Sequence, residues 1–195
     1  MACRQAAPSP MEASVSVTVL VPTADPGVPI TPYKLGIRPS RFEGVMGFIA
    51  NSQPGSVDFL QSLAPHVLSR LTPAARTHFE DKGQTPARSG VLMTANEADE
   101  TARTCDAAIL AYGHCGGCTS STIRDAVALA RRGVPVVALV VPFFAAEARF
   151  ITRATGMPDL PVYVLPGPMV RRTSEERAAV AAEVADDIVR MLEPR

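Results

Sequence analysis

A three-layer α/β sandwich, flavodoxin-like or Rossmann-like around a mostly parallel sheet, is the fold this sequence predicts, and three observations predict it. Strand-like runs alternate with helical periods over roughly 150 residues. The runs are continuously apolar rather than alternating, as strands covered on both faces are. Capping and turn residues punctuate the boundaries. At 195 residues and 47% hydrophobic, the chain suits one core, so residues 15–195 are read as a single domain and 1–14 as a disordered tail.

Val15 to Val21 alternates β-branched with small residues and stops at Pro22, which suits a short strand. A proline-rich connector without apolar period follows, to Pro39. Val45 to Ala50 is a compact apolar run, then comes the loop Asn51-Ser52-Gln53-Pro54-Gly55-Ser56. Phe59, Leu60, Leu63, Val67, Leu68 and Leu71 carry a helical period beyond it. Thr72 to Gly90 is too polar and broken to assign, and Ser89 to Thr94 reads as a short strand or a loop. Asn96 to Thr104 makes a short polar helix, and Asp106 to Tyr112 a buried strand. Thr119 to Arg132 is amphipathic: Ile123, Ala126, Val127 and Ala130 share one face, with Arg124, Asp125, Arg131 and Arg132 toward water. Gly133 ends it as a C-cap. Val134 to Val141 is another buried strand, Phe144 to Thr155 a helix ended by Gly156, Pro161 to Leu165 a short strand, and Ser174 to Leu192 the last helix.

Composition narrows the function. Nineteen basic residues balance nineteen acidic ones, so no electrostatic case exists for nucleic acid or an anionic membrane surface. The stretch Val134 to Ala146 is broken by Pro135 and Pro142 and falls short of the roughly 20 residues of a membrane span. Met1 to Pro10 lacks the apolar region of a secretory signal. Four cysteines, at 3, 105, 115 and 118, are too few and too uneven to staple the chain, which points to a reducing, cytoplasmic setting. The expected partner is a small-molecule or thiol substrate, with a homo- or hetero-oligomer open.

The chemistry centres on Gly113-His114-Cys115-Gly116-Gly117-Cys118-Thr119. In an open parallel sheet, functional loops gather outside the carboxyl ends of the strands. Asn51 to Ser56, Gly113 to Ser121, Pro142 to Phe144 and Pro166 to Pro168 all begin there. Cys115 and Cys118 lie in a glycine turn leading into a helix with Thr119, Ser120 or Ser121 as N-cap. Free amides and the helix dipole stabilise a thiolate at that place. Two thiols three apart can attack with one sulfur and release with the other through a disulfide.

Blander readings stand beside this one. The thiols are small packed residues, or half of a zinc site, although zinc usually takes four ligands and only His66, His78 and His114 are on offer. His114 either tunes Cys115 and moves a proton or faces solvent. Asn51 and Ser52 either bind a substrate carboxylate or carbonyl or form the turn. Cys105 reads as core, and Asp125 as a solvated surface charge. The catalytic candidates are Cys115, Cys118 and His114. The substrate-binding candidates are Asn51, Ser52, Thr119, Ser120, Phe143 and Pro166, with no metal and no organic cofactor assigned.

At these residues the chain resembles the UGSC-motif family, in which selenocysteine or cysteine, glycine, a small residue and cysteine occupy a strand-to-helix turn. Here the motif reads Cys115-Gly116-Gly117-Cys118, continued by Thr119-Ser120-Ser121 and by Arg132-Gly133-Val134-Pro135. Phe42-Glu43-Gly44 and Val45 to Pro54 resemble the family's first strand and Asn-Ser-x-Pro loop. Cysteine stands in place of selenocysteine at 115 and glycine in place of serine at 117. The family is distantly similar to the selenoprotein B subunit of glycine reductase, which implies reductive cleavage of an activated bond. Three functions follow as expectations: a thiol-dependent oxidoreductase; a cysteine-nucleophile lyase or hydrolase in which Cys118, His114 or Asn51 handles protons or the oxyanion; and a non-catalytic subunit of a larger enzyme.

Overall fold

The computed structural model describes residues 28–51, 53–82 and 91–194. The apolar runs form strands β1 (Val45–Ala50), β3 (Ala107–Gly113), β4 (Val136–Val140) and β5 (Val162–Val164), with β2 (Arg76–Asp81) between β1 and β3 in the chain. All pairings are parallel, and the spatial order is β2-β1-β3-β4-β5. This is the flavodoxin-like doubly wound order. Winding reverses between β1 and β3, and at such a reversal the loops leaving neighbouring strands run to opposite faces of the sheet.

The reversal also divides the helices. Helices α1 (Ser56–Leu68) and α5 (Ser174–Met191) cover one face, where Phe59, Leu63, Val184 and Ile188 pack on Phe48, Ile109 and Leu139. Helices α2 (Ala95–Thr104), α3 (Gly116–Ala130) and α4 (Ala145–Ala154) cover the other, where Ile123, Leu129 and Ile151 pack on Ala108, Leu110 and Val136. Ala108 and Leu110 face one core while Ile109 faces the other, the period-two signature of a strand buried on both sides. Capping boxes start α2 and α5: Thr94 with Glu97, and Thr173 with Glu176. Gly55, at φ 81°, takes the left-handed conformation before α1 that side chains resist.

The connector through residues 28–38 has no regular structure, and a 3-10 turn at Pro39–Arg41 ends it. It is nonetheless anchored. The Tyr33 hydroxyl accepts from Val136 N–H at 2.8 Å, and Ile37 N–H donates to Leu192 O at 2.8 Å.

Several expectations change. The proposed strand Val15 to Val21 and the tail 1–14 lie outside the described residues. Strand β2 falls inside the stretch judged too polar to assign. It is an edge strand and buries little, its one large apolar side chain, Phe79, stacking on Phe48 with ring centroids 5.1 Å apart. Of Ser89 to Thr94, the described part, Val91 to Thr94, is loop. Helix α3 begins three residues before Thr119. Asp125 is a buried charge, not a solvated one: it pairs with Lys82, the two side chains only 3% and 6% exposed. Lys82 Nζ also donates to Val91 O at 2.8 Å, and Met93 N–H donates to Asp125 Oδ1 at 2.9 Å. Burial pushes the Asp125 carboxyl upward, and the Lys82 ammonium offsets part of that rise.

Removing one member of such a pair strands the other charge away from water. Asp125→Ala is therefore expected to destabilise the fold by about 3–5 kcal/mol, read as a lower urea midpoint. The double variant Lys82→Met with Asp125→Leu should recover most of the loss, and equal losses in both would show that the pair is not the cause.

Candidate active site

The site is built where β3 turns into α3. The helix packs so tightly on the strand end that a Cβ at Gly113 would lie 2.6 Å from Thr119 Oγ1 and 2.9 Å from Thr119 Cα. Pairing of β3 with β4 shifts register between Leu110 and Gly113 at the same place. Cys115 follows in extended conformation as the N-cap of α3, and its Sγ accepts from Cys118 N–H at 3.2 Å. A cysteine sulfur thus does the work expected of Thr119, Ser120 or Ser121.

The two thiols are held differently. Cys115 is half-buried, whereas Cys118 is 2% exposed and its thiol donates to Gln53 Oε1 at 2.7 Å. Between them, Gly116 and Gly117 adopt ordinary helical backbone. A Cβ at Gly117 would meet nothing within 4 Å, and one at Gly116 would lie 3.7 and 3.8 Å from the Glu147 carboxylate oxygens. Packing does not demand these glycines, which cost a helix about 1 kcal/mol each relative to alanine. Their effect is to leave the first-turn backbone uncovered beside the sulfur.

His114 sits half-buried at the strand end, its ring edge-on to Tyr112 at 6.3 Å between centroids. Its Nδ1 is buried without a hydrogen-bond partner among the described residues. Burial holds its pKa below the ordinary histidine value, so the ring is neutral at neutral pH and able to take a proton. The Tyr112 hydroxyl below it donates to Pro54 O at 2.7 Å, and burial pushes that phenol up to about 12.

Asn51 is 4% exposed and spent on the scaffold. Its Nδ2 donates to Tyr112 O and to Thr122 Oγ1, both at 2.8 Å, and its Oδ1 accepts from Gln53 N–H at 3.2 Å. Thr119 is fully buried against Gly113, its hydroxyl unpartnered among the described residues. Both belong to the floor of the site. Ser120 is half-buried and accepts from Arg124 Nε at 3.2 Å. Ser52 lies outside the described residues. Phe143 follows β4 and is 87% exposed, and Pro166, also exposed, follows β5, so both stand on the same sheet edge as the thiols.

Gln53 and Glu147 were not singled out in the sequence. Gln53 had a signal, its place in the loop after β1. Glu147 had none, because only the packing of α4 beside α3 brings it to Gly116. Among the described residues, no three His, Cys, Asp or Glu side chains group so as to hold a metal ion, and no helix is long and apolar enough to cross a membrane.

The sequence model of the UGSC family matches residues 18–194. The chain belongs to the UGSC family. No curated protein matches it in sequence. Among solved structures, it is similar to Smu.1420 from Streptococcus mutans UA159, with TM-score 0.42 and 10% identity over 75% of this chain and 99% of the other. It is also similar to a diflavin flavoprotein A3 from Nostoc sp., with TM-score 0.39 and 11% identity over 77% and 97%. In the UGSC-family chain, the motif cysteines lie at the winding reversal, in the turn from β3 into α3, with Cys118 against the loop after β1.

The third described cysteine, Cys105, is 3% exposed and packs on Gly47, as its core reading expected. Burial, with Glu80 and Asp106 adding to it, pushes its thiol up from 9.0 to about 11. A thiol raised on folding favours the folded state fully below the unfolded value and loses that contribution as pH rises through the folded one. Stability should therefore fall above about pH 9 and continue to fall through about 11. In denaturation titrations Cys105→Ala should show a shallower alkaline decline, whereas an unchanged slope would move the cause to Tyr112.

Exposure orders the thiols. Iodoacetamide on the native protein should modify Cys115 before Cys118 and Cys105, as peptide mass mapping would show. Faster labelling of Cys118 would reverse the two roles.

Proposed function

We propose that this UGSC-family chain is a cysteine-dependent enzyme of the thiol redox or reductive-cleavage type, with Cys115 as nucleophile and Cys118 as resolving thiol. The observation that carries the reading is the capping bond: at the winding reversal, the Cys115 sulfur accepts the Cys118 amide at the start of α3. An N-terminal amide and the helix dipole favour negative charge on an acceptor sulfur. The uncovered glycine backbone gives a substrate room to reach it.

In the first step the Cys115 thiolate displaces a leaving group from an activated substrate and forms a sulfur–substrate bond. Cys118 then attacks the Cys115 sulfur. That bond breaks toward the substrate fragment, which keeps the electron pair and takes up a proton originating on Cys118. The dithiol has supplied two electrons and become a disulfide, which an external thiol reductant returns to the dithiol. The neutral His114 ring accepts or relays the proton. Phe143, Pro166 and Ser120 border the substrate, and Glu147 presents a carboxylate opposite Gly116.

One observation favours a second reading. Cys118 is buried and its thiol is already committed as a donor to Gln53, which suits a fixed proton source better than an attacking sulfur. Cys115 would then act alone as a covalent nucleophile in a lyase or hydrolase without net redox.

Cys118→Ser separates the two. With a true substrate, the first mechanism expects loss of turnover and an added mass trapped on the peptide containing Cys115, while Cys115→Ser gives neither adduct nor turnover. Turnover retained by Cys118→Ser, whose hydroxyl can still donate a proton but cannot form a disulfide, with no disulfide formed in the wild type, would remove the redox mechanism and leave the second.

A further inference from the structure

The two edges of the sheet are built differently. β5 has three residues and begins immediately after Pro161, and short strands and prolines blunt an edge against pairing. β2 has six residues, pairs with β1 along its whole length, and contains no proline, glycine or lysine. Arg76 N–H donates to Gly44 O at 2.9 Å and Lys82 N–H to Ala50 O at 3.1 Å, so the even-numbered backbone groups face β1. Those of Thr77 and Phe79 face outward, and no described strand pairs with them.

The side chains of this edge are charged in a pattern. Phe79 stacks on Phe48 toward α1, so Arg76, His78 and Glu80 lie on the opposite face, toward α2. There Glu80, Glu97 and Glu100 line a groove of about 370 Å³. Thr101 donates to one Glu80 oxygen at 2.9 Å, and the other has no partner among the described residues. At the other end of the strand, Arg76 is exposed, and its guanidinium makes no hydrogen bond or ion pair among the described residues. The edge therefore holds an unpaired cation and an acidic groove, four residues apart on one face.

We propose that two copies of this chain join through β2, edge to edge and antiparallel, about a twofold axis at His78. Such an axis stands normal to the sheet and keeps each face on its own side, so opposed residues must share a face. With His78 opposite His78, Arg76 of each copy stands opposite Glu80 of the other. Thr77 and Phe79 become the hydrogen-bonded pairs, which satisfies their outward backbone groups. Arg76 and Glu80 fall at non-hydrogen-bonded positions, where side chains approach most closely. The partner's guanidinium enters the acidic groove, and the Phe79 ring, 45% exposed, comes to lie beside the partner's Thr77. The contact is isologous and closed, and the sheet runs continuously through both copies.

Sedimentation velocity over a dilution series tests this on the full chain. The wild type should dimerise, and Arg76→Glu or Glu80→Arg should each raise the dissociation constant about tenfold or more, because like charges then oppose twice across the axis. Combining both substitutions restores opposite charges and should restore the dimer. Hydrogen exchange gives an independent reading: the Thr77 and Phe79 amides should be protected in the wild type and exchange quickly in Arg76→Glu. A wild type that stays monomeric throughout, a dimer unaffected by either reversal, a double variant no better than the singles, or fast exchange at both amides within a wild-type dimer would each overturn the proposal.

Discussion

The close seating of α3 on the end of β3 is the constraint from which the rest of the site follows. Because Thr119 Oγ1 lies 2.6 Å from where a Cβ at Gly113 would sit, the strand turns into the helix within two residues, and Cys115 takes the N-cap position. The helix register then puts Cys118, Thr122 and Asp125 on one stripe. Cys118 and Thr122 meet the loop after β1, at Gln53 and Asn51, and Asp125 meets Lys82 just after β2. One helical face therefore sets the sulfur, the loop beside it and the return of the chain after β2.

That stripe is polar and buried, which makes it demanding. An unpaired amide or charge there would cost more than an apolar residue of the same size. Asn51 is partnered at both ends of its amide, and the buried ion pair draws two further bonds from Val91 and Met93. The contrast is with the groups nearest the turn. Among the described residues His114 Nδ1 and Thr119 Oγ1 are buried without partners, and the glycines between the cysteines fill no space. Partnered groups along the stripe and unpartnered ones beside the turn are the arrangement expected where a rigid base presents reactive atoms to a ligand.

Much of the fold is legible in the sequence. Val45–Ala50, Ala107–Gly113 and Val136–Val140 are runs that a strand buried on both faces requires, and their pairings are parallel as expected. The thiol turn was legible too, since glycines after an apolar run and before an amphipathic one mark a strand-to-helix junction. β2 was not, because an edge strand carries its hydrogen bonds on one side and needs few apolar residues to hold it. Asp125 misled for a related reason: helical periodicity assigned it to the polar face, but no period reveals that Lys82 comes down upon that face.

By itself, the sequence determined the class of fold, the family, and the placing of two cysteines before a helix. These are properties of local pattern, carried by runs of a few residues and their spacing. Only the tertiary structure decided that Cys115 caps the helix while Cys118 is buried on Gln53, that Asn51 is scaffold, and that Glu147 stands over Gly116. The Cys118 and Asn51 contacts depend on which loops the reversal between β1 and β3 brings together, the Cys115 cap on how α3 seats on β3, and Glu147 on the packing of α4 beside α3. Hydrogen-bond partners far apart in the chain are chosen by packing, and the residues themselves carry no mark of that choice.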